Sequence, residues 1–178
     1  TYSLNDINEG LKKSINNLSV NYKKIFHKEL IGIKSLGVSG MMHGYLVFDK
    51  NDNLLVPFRT WRNTTTEKSS KILSKLFNFN IPQRYSISHL YQAILNNEKH
   101  INKISYITTL AGYIHYKLTG EKVVGIGEAS GMFPIDCKSL SYDKVMIKKF
   151  NKLIKNKVNW KIEDILPKIK LAGDKAGC

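Results

Sequence analysis

Two short clusters carry the side chains of this sequence that are best suited to chemistry. Met42 and His43 lie in the run Gly-Met-Met-His-Gly, and Trp61, Arg62 and Asn63 follow the segment "LLVPFRT". A histidine beside a sharp glycine turn can hydrogen-bond to hydroxyl groups, and methionine supplies an adaptable apolar wall. A tryptophan next to charged and amide groups offers the ring face and the paired hydrogen bonds typical of carbohydrate sites. Taken alone, the His43 cluster is equally consistent with a surface turn, and Trp61 is more typical of a core position.

The two clusters flank a predicted β-hairpin. The segments "YLVFD" and "LLVPF" are joined by "KNDN", whose Asn and Asp residues favour a turn, so residues 45–58 are predicted to form the hairpin. The outer ends of an antiparallel hairpin are neighbours, which places residues 40–44 beside residues 59–63. The sequence therefore predicts one site made from both clusters, and this juxtaposition favours a binding role.

Hydrophobic periodicity predicts the elements around the hairpin. A first helix is expected from Ser3 to Val20, and the alternation in "LIGIKSLGVSG" predicts a strand that ends at a glycine. Three further segments have helical spacing, with hydroxyl residues suited to N-caps in the first and a glycine suited to a C-cap in the third: "TTTEKSSKILSKLF", "ISHLYQAILNNEK" and "TLAGYIHYKLTG". The segment "YDKVMIKKFNKLIKN" predicts an amphipathic helix with a solvated lysine face. Strands followed by helices indicate an α/β or α+β domain.

The composition indicates one globular domain with a strongly basic balance. The chain has 178 residues and a formal net charge of +14. A nucleic-acid-binding module would explain the charge, but only three of the 28 basic residues are arginine, the residue best suited to phosphate and base contacts. No apolar run reaches the roughly 18 residues of a membrane span, and the first residues lack the features of a secretory signal. We therefore expect a cytoplasmic protein that does not bind membranes.

Motifs for other chemistries are weak. Cys137 and Cys178 form no Cys-x-x-Cys pair and the histidines lack ligand spacing, which predicts free thiols and no metal site. The glycines of "VVGIGEASG" are one residue too far apart for a dinucleotide loop. Asp174, in "LAGDKAGC", is typical of a turn aspartate.

The segment "GVSGMMHGYLVFDKNDNLLVPFRTWRN" resembles a specific family pattern. It is similar to the Gly-x-x-Gly-Gln-Met-His-Gly turn, hairpin and Trp-Asn-Asp-x-Arg segment of the FGGY carbohydrate kinases, and of xylulokinases in particular. The segment "TTLAGYIHYKLTGEKVVGIGEASGMFPID" is similar to the Leu-x-Tyr-x-Lys-Leu-Thr-Gly-Glu, Ala-Ser-Gly and Asp pattern of the same family. The resemblance covers roughly residues 30–150 and implies a partial ribonuclease H-like (actin-like ATPase superfamily) α/β domain, with a mixed sheet and flanking helices.

The resemblance implies ATP-dependent transfer of the γ-phosphate to a hydroxyl group of a pentose, ketose or polyol, with Mg²⁺ on the phosphates. Met42 and His43 match the family's sugar-contacting Met-His pair, and Trp61 matches its sugar-site tryptophan. Tyr85 falls near an aromatic substrate contact of the related glycerol kinases. Met41 replaces the usual Gln.

Arg62 and Asn63 stand where many members have Asn-Asp, and they complete the set of expected substrate-binding residues. These departures surround the sugar, so the sugar itself is not predicted.

The family's Asp-x-Gly-Thr phosphate-binding hairpin and its catalytic aspartate have no counterpart in these residues. We therefore expect residues 1–178 to be an incomplete N-terminal domain that holds no catalytic residue and is inactive alone. ATP and Mg²⁺ are expected to bind mainly to segments outside this chain, and the parent enzyme to bind a small-molecule sugar and to form a homodimer. Two alternatives stay open: a basic nucleic-acid-binding module, and a non-catalytic sugar-binding protein.

Overall fold

The computed structural model describes residues 3–177, which divide into two units, one up to Val38 and one from Ser39 onward. The first unit contains the helix α1 (Leu4–Phe26). The Ser3 hydroxyl caps this helix by accepting hydrogen bonds from the N–H groups of Asn5 and Asp6. The predicted start is confirmed, but α1 runs six residues beyond the predicted end. The extension is supported by a contact one turn apart between the tilted Tyr22 and Phe26 rings, 4.8 Å between centroids.

The strand predicted in residues 30–40 does not form. Ile31 is 99% exposed, and Ile33 and Leu36 are more than half exposed, so the alternating residues cover nothing. A strand needs a partner for its backbone groups, and no described residue pairs with this segment. Residues 30–40 therefore have the apolar alternation of a strand but do not form the strand that it predicted.

A buried strand forms the centre of the second unit. All five residues of this strand are buried, and it pairs on both sides in antiparallel fashion within a three-stranded sheet of order β2-β1-β3. The predicted turn and the pairing of the hairpin's outer ends are confirmed: Asp49 accepts the N–H groups of Asn51 and Asn53, and Gly44 pairs with Thr60. The second strand predicted in "LLVPF" does not form, because this segment pairs with the first strand through only one bridge, at Leu54, and the paired strand lies after it. The strands are β1 (Gly44–Phe48), β2 (Arg59–Thr60) and β3 (Tyr106–Thr108).

Three helices form where the hydrophobic periodicity predicted them: α2 (Glu67–Phe77), α3 (Ser86–Leu95) and α4 (Leu110–Thr119). Gly120 ends α4 at φ 75°, as its C-cap position predicts. The hydroxyl cap predicted for α2 is absent, because the Thr66 hydroxyl donates to the Gln83 carbonyl instead of accepting from the helix. α3 has nine of its ten residues buried against the core.

The remaining elements complete the second unit as a mixture of small parallel and antiparallel sheets with helices. β4 pairs in parallel with β7, and β5 pairs antiparallel with β6. The predicted lysine-rich helix is α6, which buries Phe150 and Ile154 and exposes its lysines. The bounds are β4 (Val123–Gly125), α5 (Ile126–Ser130), β5 (Ile135–Asp136), β6 (Ser141–Tyr142), α6 (Lys144–Ile154), α7 (Ile162–Ile165) and β7 (Lys168–Lys170).

Several smaller predictions can be compared with these elements. The segment "VVGIGEASG" forms β4 and α5, and Asp174 lies in a turn where its carboxylate accepts the Leu171 N–H. Cys137 is an exposed free thiol, whereas Cys178 lies outside the described residues. Within residues 3–177, no helix has the length and apolarity that a membrane crossing requires.

Candidate functional site

Residues of both sequence clusters line one open pocket of about 740 Å³ in the second unit. Met42, His43, Trp61 and Asn63 line it, as the hairpin pairing led us to expect. Arg62 and Tyr85 do not line the pocket but contact Trp61 and His43, respectively. Four lining residues were not among the predicted site residues: Met41, Thr64, Gln83 and Arg84.

His43 is held from two sides. Its Nδ1 lies 3.4 Å from the Gly131 carbonyl oxygen, and its ring stacks on Tyr85 with 5.3 Å between centroids and an interplanar angle of 22°. Burial lowers the pKa of His43 below its ordinary 6.5; the Gly131 carbonyl opposes this shift and the charge of Arg84 adds to it. The imidazole is therefore neutral at pH 7, with Nδ1–H donating to Gly131 and Nε2 able to accept a hydrogen bond.

Two glycines make this placement of His43 possible. A Cβ atom at Gly131 would lie 2.7 Å from the His43 Nδ1 and 2.9 Å from the Met42 carbonyl oxygen. Gly44 adopts φ +127°, where a Cβ atom would meet the Arg59 carbonyl oxygen at 2.7 Å. Gly131 therefore lets the backbone approach the imidazole closely, and Gly44 lets the chain turn after His43 beside Arg59.

The first turn of α3 fixes the position of the His43 side of the pocket. The Ser86 hydroxyl donates to the Gly44 carbonyl over 2.7 Å, and the Ser86 N–H donates to the Gly131 carbonyl over 3.4 Å. The next N–H group, from Ile87, donates to Met132. The start of β1, the end of α5 and the Tyr85 ring are consequently connected through a helix that is itself buried.

Trp61 forms the opposite side and is 48% exposed. The Arg62 guanidinium carbon lies 5.2 Å from the Trp61 ring centroid, a cation–π distance. The Asn63 N–H donates to Thr60, and its side-chain oxygen accepts from the N–H and hydroxyl of Thr65. The amide nitrogen of Asn63 can still donate a hydrogen bond to a ligand.

An ion pair supports β2 behind Trp61. Arg59 donates to both carboxylate oxygens of Glu98, and its guanidinium lies 5.3 Å from the Tyr45 ring centroid. Burial acts to raise the pKa of Glu98, but the hydrogen bond and the charge of Arg59 outweigh it and lower the pKa. The Tyr45 hydroxyl lies 2.8 Å from the His100 Nε2, which extends this polar cluster beneath β1.

The described residues were also compared with the requirements of a bound metal ion. Among residues 3–177, no group of three or more histidine, cysteine, aspartate or glutamate side chains has the arrangement to hold a metal. These residues therefore offer no cluster of protein ligands that would hold a metal ion without substrate phosphates.

The model of the FGGY family of carbohydrate kinases, N-terminal domain, matches residues 2–178. The chain belongs to the FGGY carbohydrate kinases. This FGGY chain is 27% identical to the xylulose kinase of Haemophilus influenzae over 155 residues, which cover 82% of the chain and 30% of that relative. The family membership expected from the Met-His and Trp segments is confirmed.

Solved FGGY kinases share the fold of this chain. The structure of a xyloylose kinase from Brucella ovis matches with a TM-score of 0.74 at 19% identity, covering 92% of this chain and 32% of that one. Plasmodium falciparum glycerol kinase with ADP matches with a TM-score of 0.67 at 19% identity, covering 91% and 34%. The expected actin-like α/β fold class is confirmed. This FGGY chain spans about a third of the length of these relatives.

The site residues that were predicted lie in recognisable sequence motifs, whereas most of those that were not predicted do not. Met42, His43, Trp61 and Asn63 belong to two motifs joined by one hairpin, which a local pattern reveals. Gln83 and Arg84 precede α3 without a motif of their own, and only the resemblance at the adjoining Tyr85 pointed to this segment. Gly131 belongs to the Ala-Ser-Gly element of the family resemblance, but no sequence pattern indicated its contact with His43, which lies 88 positions away.

Proposed function

We propose that this chain forms the sugar-facing part of an ATP-dependent kinase that transfers the γ-phosphate to a hydroxyl group of a pentose, ketose or polyol. The observation that carries the proposal is the convergence of Met42 and His43 with Trp61 and Asn63 around one pocket, in a chain of the FGGY family. A pocket with apolar walls and a few placed hydrogen-bonding groups suits a small polyhydroxylated ligand.

Each predicted residue has a distinct role in this proposal. The Nε2 atom of His43 accepts a hydrogen bond from a sugar hydroxyl, since its Nδ1 is engaged by Gly131. Trp61 packs its ring against the C–H surface of the sugar. Met42 supplies apolar contact, and Asn63 donates its amide N–H.

Two residues act from just outside the pocket lining. Tyr85 keeps the His43 ring in its orientation by stacking on it. Arg62 holds its charge above Trp61, at the rim of the pocket. Both are proposed as substrate-site residues through these contacts.

ATP and Mg²⁺ are proposed to bind outside residues 3–177. The described residues hold no metal-ligand cluster, and the relatives have about twice as much further sequence in which these groups can bind. Residues 1–178 are accordingly proposed to be an incomplete N-terminal domain that supplies no catalytic residue. The homodimer expected for the parent enzyme stays a prediction, measurable by sedimentation.

The test uses the protein produced from its complete gene. Sugar-dependent ADP release is measured with a panel of pentoses, ketoses and polyols, in the wild type, in His43→Ala and in a control variant, His27→Ala, at the exposed end of α1. We expect release with at least one sugar, a loss of about 100-fold in kcat/KM for His43→Ala, and no loss for the control. The isolated 178-residue chain is expected to release no ADP.

Other results would overturn the proposal. Sugar binding without ADP release would identify a non-catalytic sugar-binding protein. Salt-sensitive binding to nucleic acid without sugar binding would identify a basic binding module. Sugar-dependent release that His43→Ala leaves unchanged would place the sugar elsewhere.

A further inference from the structure

All three arginines of this lysine-rich chain lie at or beside the candidate pocket. Arg84 lines the pocket, Arg62 covers the ring of Trp61, and Arg59 lies in β2 two residues before Trp61. The other 25 basic residues are lysines, which are dispersed along the sequence. Arginine presents a rigid fork of donors that matches a carboxylate or phosphate, so its placement points to an anion at this pocket.

Only one of these three charges is neutralised. Arg59 is paired with both carboxylate oxygens of Glu98. Arg62 and Arg84 are exposed, and among residues 3–177 neither forms an ion pair. The eight residues that line the pocket include no aspartate or glutamate.

The positive charge acts inside the pocket. The guanidinium of Arg84 is close enough to contribute to the lowered pKa of His43, the residue proposed to contact a sugar hydroxyl. A ligand that places a negative charge near Arg84 and a hydroxyl near His43 would satisfy both groups at once. A neutral sugar would offer the Arg84 fork only uncharged hydroxyl acceptors, which bind a guanidinium more weakly than a carboxylate does.

We propose that the phosphate acceptor is a sugar acid, whose carboxylate pairs with Arg84 while a hydroxyl group of the same molecule meets His43. This inference rests on the proposed kinase function and narrows its substrate class. The exposed Arg62 attracts the same anion from the rim of the pocket. The pocket, at about 740 Å³, has room for an aldonate of five or six carbons.

The test compares acids and alcohols that differ only in the carboxylate. D-gluconate is titrated against D-glucitol, and D-xylonate against xylitol, into the protein from its complete gene without nucleotide. The variants are Arg84→Gln, the charge-retaining Arg84→Lys and, as a matched control, Lys148→Gln on the exposed face of α6. Arg84 and Lys148 are both exposed, so the fold is expected to be retained in all three variants, and thermal unfolding verifies this.

We expect one aldonate to bind at least about tenfold more tightly than its alcohol. Arg84→Gln should reduce that preference to less than about threefold, Arg84→Lys should restore part of it, and Lys148→Gln should leave it unchanged. The preferred aldonate should also be the substrate with the highest kcat/KM for ADP release.

The opposing results separate this inference from the proposed function. Phosphorylation of a neutral sugar, with no preference for either acid, would overturn the sugar-acid proposal and leave the kinase proposal standing. If Arg84→Gln keeps the preference for the aldonate over its alcohol but raises the KM for ATP, Arg84 faces the nucleotide phosphates. This result would also overturn the sugar-acid proposal. Binding of an aldonate that depends on Arg84, without ADP release, would support acid recognition and overturn the kinase proposal.

Discussion

The two sides of the pocket differ in how firmly the fold holds them. The His43 wall consists of Met42, His43 and the supporting Tyr85, and the Trp61 wall consists of Trp61 to Asn63. His43 contacts the Gly131 carbonyl and the Tyr85 ring, and the α3 backbone ties both to β1. Trp61 is 48% exposed, and its ring partner Arg62 is also exposed to solvent.

This difference indicates that the two walls have different roles in binding. A side chain fixed before binding costs little entropy when a ligand arrives, whereas an exposed aromatic ring loses rotamer freedom on closing over the ligand. The His43 wall is therefore suited to selecting the orientation of a sugar, and the Trp61 wall to covering it. Substitutions behind His43 should consequently affect affinity more than substitutions of the Trp61 ring itself.

The largest effect is expected from Gly131→Ala. The new Cβ atom would lie 2.7 Å from the His43 Nδ1, so the imidazole must move, and a displacement near 1 Å can cost about 100-fold. The measurement is kcat/KM for the best sugar, with thermal unfolding to verify folding. Gly127→Ala, in the helix that Gly131 caps, is the matched control, because its Cβ atom would meet open space. Equal activity of both variants would show that His43 is not fixed by Gly131.

The second effect concerns the support of the Trp61 wall. Arg59→Met keeps the apolar stem but leaves Glu98 without its bidentate partner, and we expect a loss of about 2 kcal/mol in the free energy of unfolding by urea. The side chains of this pair are about a quarter exposed, which places the loss below that of a fully buried pair. Lys71→Met is the control: it breaks an exposed helical pair with Glu67 and should change the stability far less than Arg59→Met does.

The pH dependence of this pair follows from the lowered pKa of Glu98. Because the folded-state pKa lies below the ordinary 4.5, the pair stabilises the protein above that pH and its contribution is lost as the pH falls further. Wild type and Arg59→Met should therefore converge in stability at strongly acidic pH. A difference that is independent of pH would contradict this account of the pair.

A smaller effect is expected from Trp61→Ala. An exposed ring that closes over a ligand contributes its stacking contact but little to the pocket's shape, so affinity for the best sugar should fall about tenfold. Isothermal titration measures the change, and Trp160→Ala provides a tryptophan control far along the chain from the pocket residues. A loss larger than that of Gly131→Ala would reverse the ranking of the two walls.

The smallest effect is the pH dependence of sugar binding near neutrality. His43 must be neutral for Nε2 to accept a hydrogen bond, and its pKa is below 6.5 because it is partly buried. At pH 6.5 less than half of the imidazole is protonated, so affinity should be nearly constant from pH 8 to 7 and fall only below about 6.5. Titrations across this range, repeated with His43→Ala, test the assignment, since the variant should lose the acidic decline.

Local patterns in the sequence account for the elements that need no distant partner. The hydroxyl of Ser3, the Asn and Asp residues between the hairpin strands and Gly120 each act on backbone groups within a few positions. The pairing of the hairpin ends then brings Met42-His43 and Trp61 together, which is why the site could be predicted in outline.

The parts of the fold and of the candidate site that were not predicted depend on contacts between residues far apart in the chain. The strand predicted around Ile31 fails because alternation creates a strand only where a partner and a covering layer exist. The Thr66 hydroxyl was predicted as a cap but binds the Gln83 carbonyl, which no local pattern indicates. Gly131 supports His43 from 88 positions away, and Arg84 enters the pocket because β1 and α3 pack together.

The absence of any buried residue in α1 has a consequence for isotope exchange. Its backbone N–H groups are protected from solvent deuterium only by the hydrogen bonds of the helix, whereas those of α3 also lie beneath packed side chains. Fraying alone therefore exposes the α1 amides, while the α3 amides exchange only when the surrounding core opens. Deuterium uptake should accordingly divide the chain into a fast helix of 23 residues and a slow helix that supports the His43 wall.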